Sequence, residues 1–390
     1  MSKAPKMKTI ANQPSYILAT KTVEAAITQR AAMLAPVTFF RDTAPLQPYS
    51  IAPWAEERLD PGTPQVVACL RGDFLCSAFG GNDEPFEGKR LPVHGETANE
   101  VWDFVSFDKG KGGVVLRQSI RLSLQGGGCD KTTALVEKHN IVYQRDDFSG
   151  VNGPINPGHH AMLRFPDKPG CARLSFSPFV YAHTFVEPTE HPEKRGYSIL
   201  KPNAPVSDLT SVPRSDGALT DVTVFPARRG FDDIMIICAD PSREFAWSAV
   251  TFSEDGYVWF TLRDPRLLPS TLLWMSNGGR YYAPWNGRHV NVLGVEDMTG
   301  FFHYGLAASA RDNLLTQKGI KTCHRLKPSD TLRIPYVQGI ARVPKGFDRV
   351  ASIEIESDAS IKLTAPSGAT QSVPCFASFV KTGEIKGLIQ

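Results

Sequence analysis

Apolar and polar positions alternate with a period of two in several stretches of the chain. Val23, Ala25 and Ile27 alternate with Thr22, Glu24 and Thr28, with Ala26 interrupting the polar face, and Ile120, Leu122 and Leu124 alternate with Arg121 and Ser123. Successive side chains of a strand point to opposite faces, so these runs predict strands with one face on a core. Two runs rich in aromatic and β-branched residues, Phe245 to Phe252 and Tyr257 to Leu262, flank Ser253-Glu254-Asp255-Gly256, whose Asp-Gly step predicts a hairpin. Ile353 and Ile355 alternate with Glu354 and Glu356 before Ser357-Asp358-Ala359-Ser360 turns the chain into Ile361-Lys362-Leu363, a second hairpin. Only Leu306 to Leu315, built from alanines and leucines, predicts a short helix.

The 32 glycines and 30 prolines are spread along the whole length and cut it into strand-sized pieces. An all-β class follows. No internal repeat, low-complexity tract or charged linker divides the chain, so residues 15–390 are expected as one domain and residues 1–14 as a loose tail. The 390 residues suffice for a sizeable core.

Charge narrows the partners. Lys+Arg 43 against Asp+Glu 40 gives a net +3, and the basic residues are scattered, which argues against nucleic acid. The amino terminus is basic, but polar Asn12, Gln13 and Ser15 stand where a signal peptide needs its apolar core. No stretch approaches the roughly 20 apolar residues of a membrane helix. The cysteines number seven, are widely spaced and contain no C-x-x-C pair, so reduced thiols in a cytoplasmic protein are expected, with no disulfide framework and no zinc site.

Three clusters concentrate chemistry. Phe79 to Trp102 gathers glycine, carboxylate, amide and histidine in one loop-like stretch around Leu91-Pro92-Val93-His94-Gly95-Glu96. Loops on a rigid scaffold carry binding groups, and Gly95 allows close backbone approach by a ligand, although a turn with His94 capping a strand satisfies the same pattern. Asn156-Pro157-Gly158-His159-His160 follows a Gly/Asn-rich loop; if it is a strand, only one of the two histidines faces a cleft. A metal site would need a carboxylate or cysteine at fixed spacing, and none is evident. In the third cluster, Leu272 to His289, aromatic faces such as Trp274 suit the apolar face of a pyranose while its asparagines and arginines, Arg288 among them, suit the hydroxyls; a Trp/Tyr minicore is the alternative for Tyr281 and Tyr282. Glu296 follows Leu293 and Val295 in an apolar run, where a carboxylate needs a role or a partner such as Arg288 or Arg280.

In order and spacing these clusters resemble the galactose mutarotase-like superfamily, the aldose 1-epimerases and their relatives, in segments from about Ser15 to the end. The resemblance implies a large antiparallel β-sandwich of the supersandwich type. It places His94 as a substrate-binding histidine, His160 as the general acid at the ring oxygen, with His159 where the family has asparagine, and Glu296 as the catalytic base. The family's Asn-Arg pair falls on Asn82-Asp83, a departure that leaves the positive charge to Lys89, Arg90 or Arg71. Glu96 and Asp83 are further binding candidates.

The implied activity is anomer interconversion of a small sugar by acid/base ring opening, without a cofactor, in a monomer or homodimer. A carboxylate and an imidazolium in one cleft are expected to lower the glutamate pKa and raise that of the histidine. Two alternatives share the fold: a non-catalytic carbohydrate-binding protein, and a lyase, hydrolase or epimerase acting on a modified or phosphorylated sugar.

Overall fold

The computed structural model describes residues 4–389. Its frame is two antiparallel sheets packed face to face. The larger has nine strands, in spatial order Val224–Phe225, Ala172–Phe176, Ala246–Phe252, Tyr257–Arg263, Thr331–Arg342, Ile141–Ser149, Gly128–Val136, Gly113–Arg121 and Asp103–Gly110. The smaller runs Phe179–Thr184, Phe231–Ala239, Ser270–Asn277, Val292–Met298, Gly158–His159 and Leu75–Cys76, with Ala161–Arg164 also paired to Val292–Met298. An all-β sandwich is the observed class.

Between the sheets lies one apolar cluster that joins Val114, Leu116, Trp259 and Ile340 of the larger sheet to Met235, Leu273, Leu293 and Val295 of the smaller. The other face of the larger sheet is covered as well. Tyr143, Trp247, Phe260 and Val337 pack there against the carboxy-terminal three-stranded sheet (Ser352–Ser357, Ser360–Thr364, Thr370–Pro374) and Phe379. Burial on both faces explains why Phe245–Phe252 and Tyr257–Leu262 carry apolar residues continuously instead of alternating. Both predicted hairpins form, with Phe252 opposite Tyr257 and Ile355 opposite Ile361.

A charged network crosses the inter-sheet space. His159 Nδ1 meets Asp73 Oδ2 at 3.0 Å and its Nε2 meets Asp146 Oδ2 at 3.1 Å, while Lys131 Nζ reaches the other Asp146 oxygen at 3.0 Å. Gln338 donates to Asp73 at 2.7 Å and accepts from the Tyr49 hydroxyl at 2.7 Å. With a carboxylate on each ring nitrogen, His159 donates twice and is an imidazolium. Burial opposes that charge, but the two aspartates raise its pKa, and His159 and Lys131 hold both aspartates below the usual range. Two cations face two anions, so these buried charges sum to zero.

Three local expectations are corrected. Lys6–Ile10 is a strand paired with Gln13–Ala19, so much of the presumed tail belongs to a four-stranded amino-terminal sheet. The strand through Ile120 stops at Arg121, because Leu122 to Gly127 closes a turn by mutual backbone bonds. The helix is only Leu306–Ala310; Asn313 then uses its side chain to bond Leu315 and Thr316 amides and the Ala308 carbonyl, which diverts the chain.

Candidate functional site

The outward face of the smaller sheet is roofed by loops, and the candidate site lies beneath them. Gly158 stands opposite Met298 and Ala161 opposite Val295, a register that sets His160 directly across from Glu296. Cross-strand partners share a face. His160 Nε2 accordingly lies 3.3 Å from Glu296 Oε1, with both side chains buried. The approach is outside hydrogen-bond alignment: neither Glu296 oxygen, nor His160 Nδ1, has a protein hydrogen-bond partner. His159, one residue earlier, points into the inter-sheet network, as alternation along a strand demands.

The cleft around this pair has a volume of about 100 Å³. Val66, Val67, Leu70, Ile234 and Leu272 supply apolar wall, Trp274 and Trp285 aromatic wall, and His94, His303 and Arg280 the remaining polar groups. His160 is fixed by stacking on Phe74 at 4.7 Å and by edge contact with His94 at 4.8 Å. His94 Nδ1 accepts a long bond from the Gly80 amide, which leaves the proton on Nε2 to be donated to His303 Nε2 at 3.2 Å. Arg280 spans the faces of Trp274 and Trp285 at 5.0 and 4.7 Å, and its Nε donates to Glu190 at 2.6 Å. Glu190 also accepts from Tyr282, and Trp274 donates to Asp232 at 3.2 Å.

Burial dominates the electrostatics, and it reverses the expected protonation of the pair. Desolvation raises the Glu296 carboxyl well above the usual range, against the smaller pull of Arg280. Desolvation, reinforced by the charge of His303, pushes His160 down to about 3. His303 falls to about 4, again through burial and then Arg280, and His94 is also lowered by burial. Burial therefore favours the proton on Glu296 and a neutral imidazole at His160. The directions run against the expected mutual charging because burial outweighs the attraction between the two groups and no protein group donates to the carboxyl.

Of the sequence candidates, His94, His160, Trp274 and Glu296 line the cleft and the others do not. Arg71 is buried under the amino-terminal hairpin, donating to the backbone oxygens of Cys69, Ile10 and Ala11. Glu96 receives Ser123 Oγ at 2.7 Å and the amides of Leu124 and Gln125, so it secures the turn after Arg121. Asn82 spends its side chain on the Ala78, Gly80 and Pro92 carbonyls and the Leu306 amide. Asp83 is exposed. Arg288 forms a two-pronged surface pair with Glu57. Gly95 makes room for the Ser77 backbone, whose oxygen a Cβ would approach to 1.7 Å, rather than for a ligand.

His303, Arg280 and Glu190 were absent from the expected site. Arg280 lies within the third sequence cluster, and His303 sits in Phe301-Phe302-His303-Tyr304, where a polar ring among aromatics is the available signal. No group of histidine, cysteine or carboxylate side chains suited to a metal ion occurs among the described residues. All seven cysteines are free, and no helix among the described residues is long and apolar enough to cross a membrane.

No protein-family model and no curated protein sequence matches the chain. Solved structures do. A galactose mutarotase related enzyme from Lactobacillus acidophilus superposes with a TM-score of 0.53 at 11% identity, over 84% of this chain and 97% of its own. A galactose mutarotase-like protein from Clostridium acetobutylicum gives 0.56 at 10%, over 86% and 98%. A Klebsiella pneumoniae structure provisionally named an aldose 1-epimerase gives 0.57 at 13%, over 85% and 80%. At such identity the likeness speaks for the fold alone, and the fold of this chain is the galactose mutarotase-like β-sandwich.

Proposed function

We propose that the chain is a carbohydrate-active enzyme that interconverts the anomers of a small sugar through ring opening. The observation that carries this reading is the buried His160–Glu296 pair, 3.3 Å apart and without protein donors to the carboxyl, at the floor of a cleft walled by tryptophans. A buried carboxyl with no protein donor is costly to structure and useful to chemistry.

Ring opening requires one proton on the pair, whichever partner holds it. Glu296, protonated at the start, gives its proton to the ring oxygen while neutral His160 takes that of the anomeric hydroxyl, so the bond from the anomeric carbon to the ring oxygen breaks and a carbonyl forms. The pair is then carboxylate and imidazolium. Rotation about the bond between the first two sugar carbons and reclosure on the other carbonyl face return both protons. This exchanges the roles implied by the sequence resemblance, because burial places the proton on the carboxyl. Trp274 and Trp285, with Arg280 over their faces, supply apolar wall for the sugar, and His94, His303 and Arg280 offer hydrogen bonds to its hydroxyls.

The lyase or hydrolase alternative called for a further carboxylate beside the leaving group. Glu96 is occupied by the turn at Ser123 and Asp83 is exposed, so that support is missing. NMR exchange between α and β resonances across a panel of free and phosphorylated aldoses tests the proposal. Exchange above the buffer rate that Glu296→Gln abolishes supports it; saturable sugar binding with no added exchange replaces it with a binding role.

A further inference from the structure

We propose a second carbohydrate site on the surface around Tyr197 and Tyr281, distinct from the Glu296 cleft and suited to an acidic glycan of uronic acid residues. Tyr197 and Tyr281 are 39% and 40% exposed, and their ring centroids lie 5.7 Å apart at 80°, so two partly exposed rings meet edge to face at the surface. A shallow open groove of about 540 Å³ runs past them, bounded by Arg195, Arg229, Gly230 and Phe231.

The tyrosines are held from behind. The Tyr197 amide donates to the Gly279 carbonyl at 2.9 Å, the Tyr281 amide to the Arg195 carbonyl at 2.9 Å, and the Asp232 amide to the Tyr197 carbonyl at 2.8 Å. A side chain at Gly279 would come within 2.3 Å of the Asp232 nitrogen, so glycine is what lets these segments approach. A rigid aromatic platform loses little entropy on binding. Because these backbone groups are bonded to one another, the segments offer an extended peptide no free edge to pair with, and recognition falls to side chains.

Those side chains define the ligand. An exposed tyrosine face accepts the C–H face of a pyranose. Arg195 takes a left-handed turn position at φ +60°, and its guanidinium makes no hydrogen bond or ion pair among the described residues. Arg229 stands across the groove, with Nη1 on Asp167 at 2.9 Å. A guanidinium fork matches a carboxylate in two-pronged geometry, and a sugar bearing a carboxylate satisfies platform and cation together. Arg280, between Gly279 and Tyr281, turns to the cleft, so the two sites lie back to back across one short segment.

Calorimetric titration of the full chain with an oligouronate, and with a neutral oligosaccharide of equal length, tests the site. Saturable oligouronate binding is expected, at least tenfold weaker in Tyr281→Ala and in Arg195→Ala, retained in Tyr281→Phe and in Glu296→Gln, and tighter than for the neutral chain. Circular dichroism of each variant checks folding. Absence of saturable binding overturns the proposal, as does binding that Glu296→Gln alone removes, which would place the ligand in the cleft. Equal affinity for inorganic polyphosphate overturns it too, since charge alone would then suffice. Anomer exchange is read separately, so failure here and failure of the cleft chemistry are told apart.

Discussion

His159 and His160 are consecutive, yet they sit in opposite protonation states on opposite faces of the same sheet. His159 donates from both nitrogens to buried aspartates, whereas His160 is a neutral ring beside an unbonded carboxyl. The difference comes from partners, not from depth, for both are buried.

Glu296→Gln removes the proton donor while preserving shape, so anomer exchange should fall by about 10²–10⁴-fold, the usual worth of a positioned acid or base. The same variant should unfold at higher temperature near neutral pH. A carboxyl whose folded pKa is raised stays protonated in the native state while the unfolded chain ionises above about 4.5, which costs stability as pH rises. Calorimetry of both proteins at pH 5 and pH 8 checks this, and an equal effect at both values would count against it.

Acid should weaken the fold early. His94, His160, His289 and His303 all have folded pKa values below the ordinary 6.5, with His160 and His289 near 3, because burial excludes their charge. The unfolded chain takes up protons first, so stability is lost as pH falls from about 6.5 toward these values. Urea midpoints measured from pH 7 to pH 5 should drop steadily, and His160→Asn should flatten the slope.

The inter-sheet network has the opposite sign. His159 has a raised folded pKa, so its contribution is complete below about 6.5 and is lost as pH rises through the folded value. His159→Ala leaves Asp73 and Asp146 buried with one cation between them and should cost about 3–5 kcal/mol, the range for breaking a buried ion pair from one side. Denaturant titration measures it; a change under 1 kcal/mol would show that water replaces the ring without loss.

Arg280 and Arg288 separate cleft from surface. Arg288 pairs with Glu57 in the open, so Arg288→Ala should leave both turnover and KM unchanged. Arg280→Ala empties the space between Trp274 and Trp285 and frees Glu190 into the cleft wall, and KM should rise at least tenfold. Matching kinetics for the two variants would contradict the assignment of the cleft.

Strand positions and both hairpins were legible because alternation and Asp-Gly turns are local physics. So was the His159/His160 split, which needs only the two-residue period of a strand. Arg71, Glu96 and Asn82 lie off the cleft for a common reason: each is a polar residue bonded mainly to backbone groups, two of them more than 25 positions away for Glu96 and about 60 for Arg71. Spacing along the chain cannot tell a side chain that binds ligand from one that binds a distant loop. The protonation of Glu296 was hidden likewise, since it depends on how completely other loops exclude water.

Arg71 closes both terminal nitrogens on the Ile10 and Ala11 carbonyls, and the residue before it, Leu70, is a wall of the cleft. The amino-terminal hairpin is therefore a clasp on the scaffolding of the cleft. Affinity tags or deletions placed ahead of Ile10 should be felt at the cleft wall, which makes the choice of which end to tag a biochemical decision for this protein.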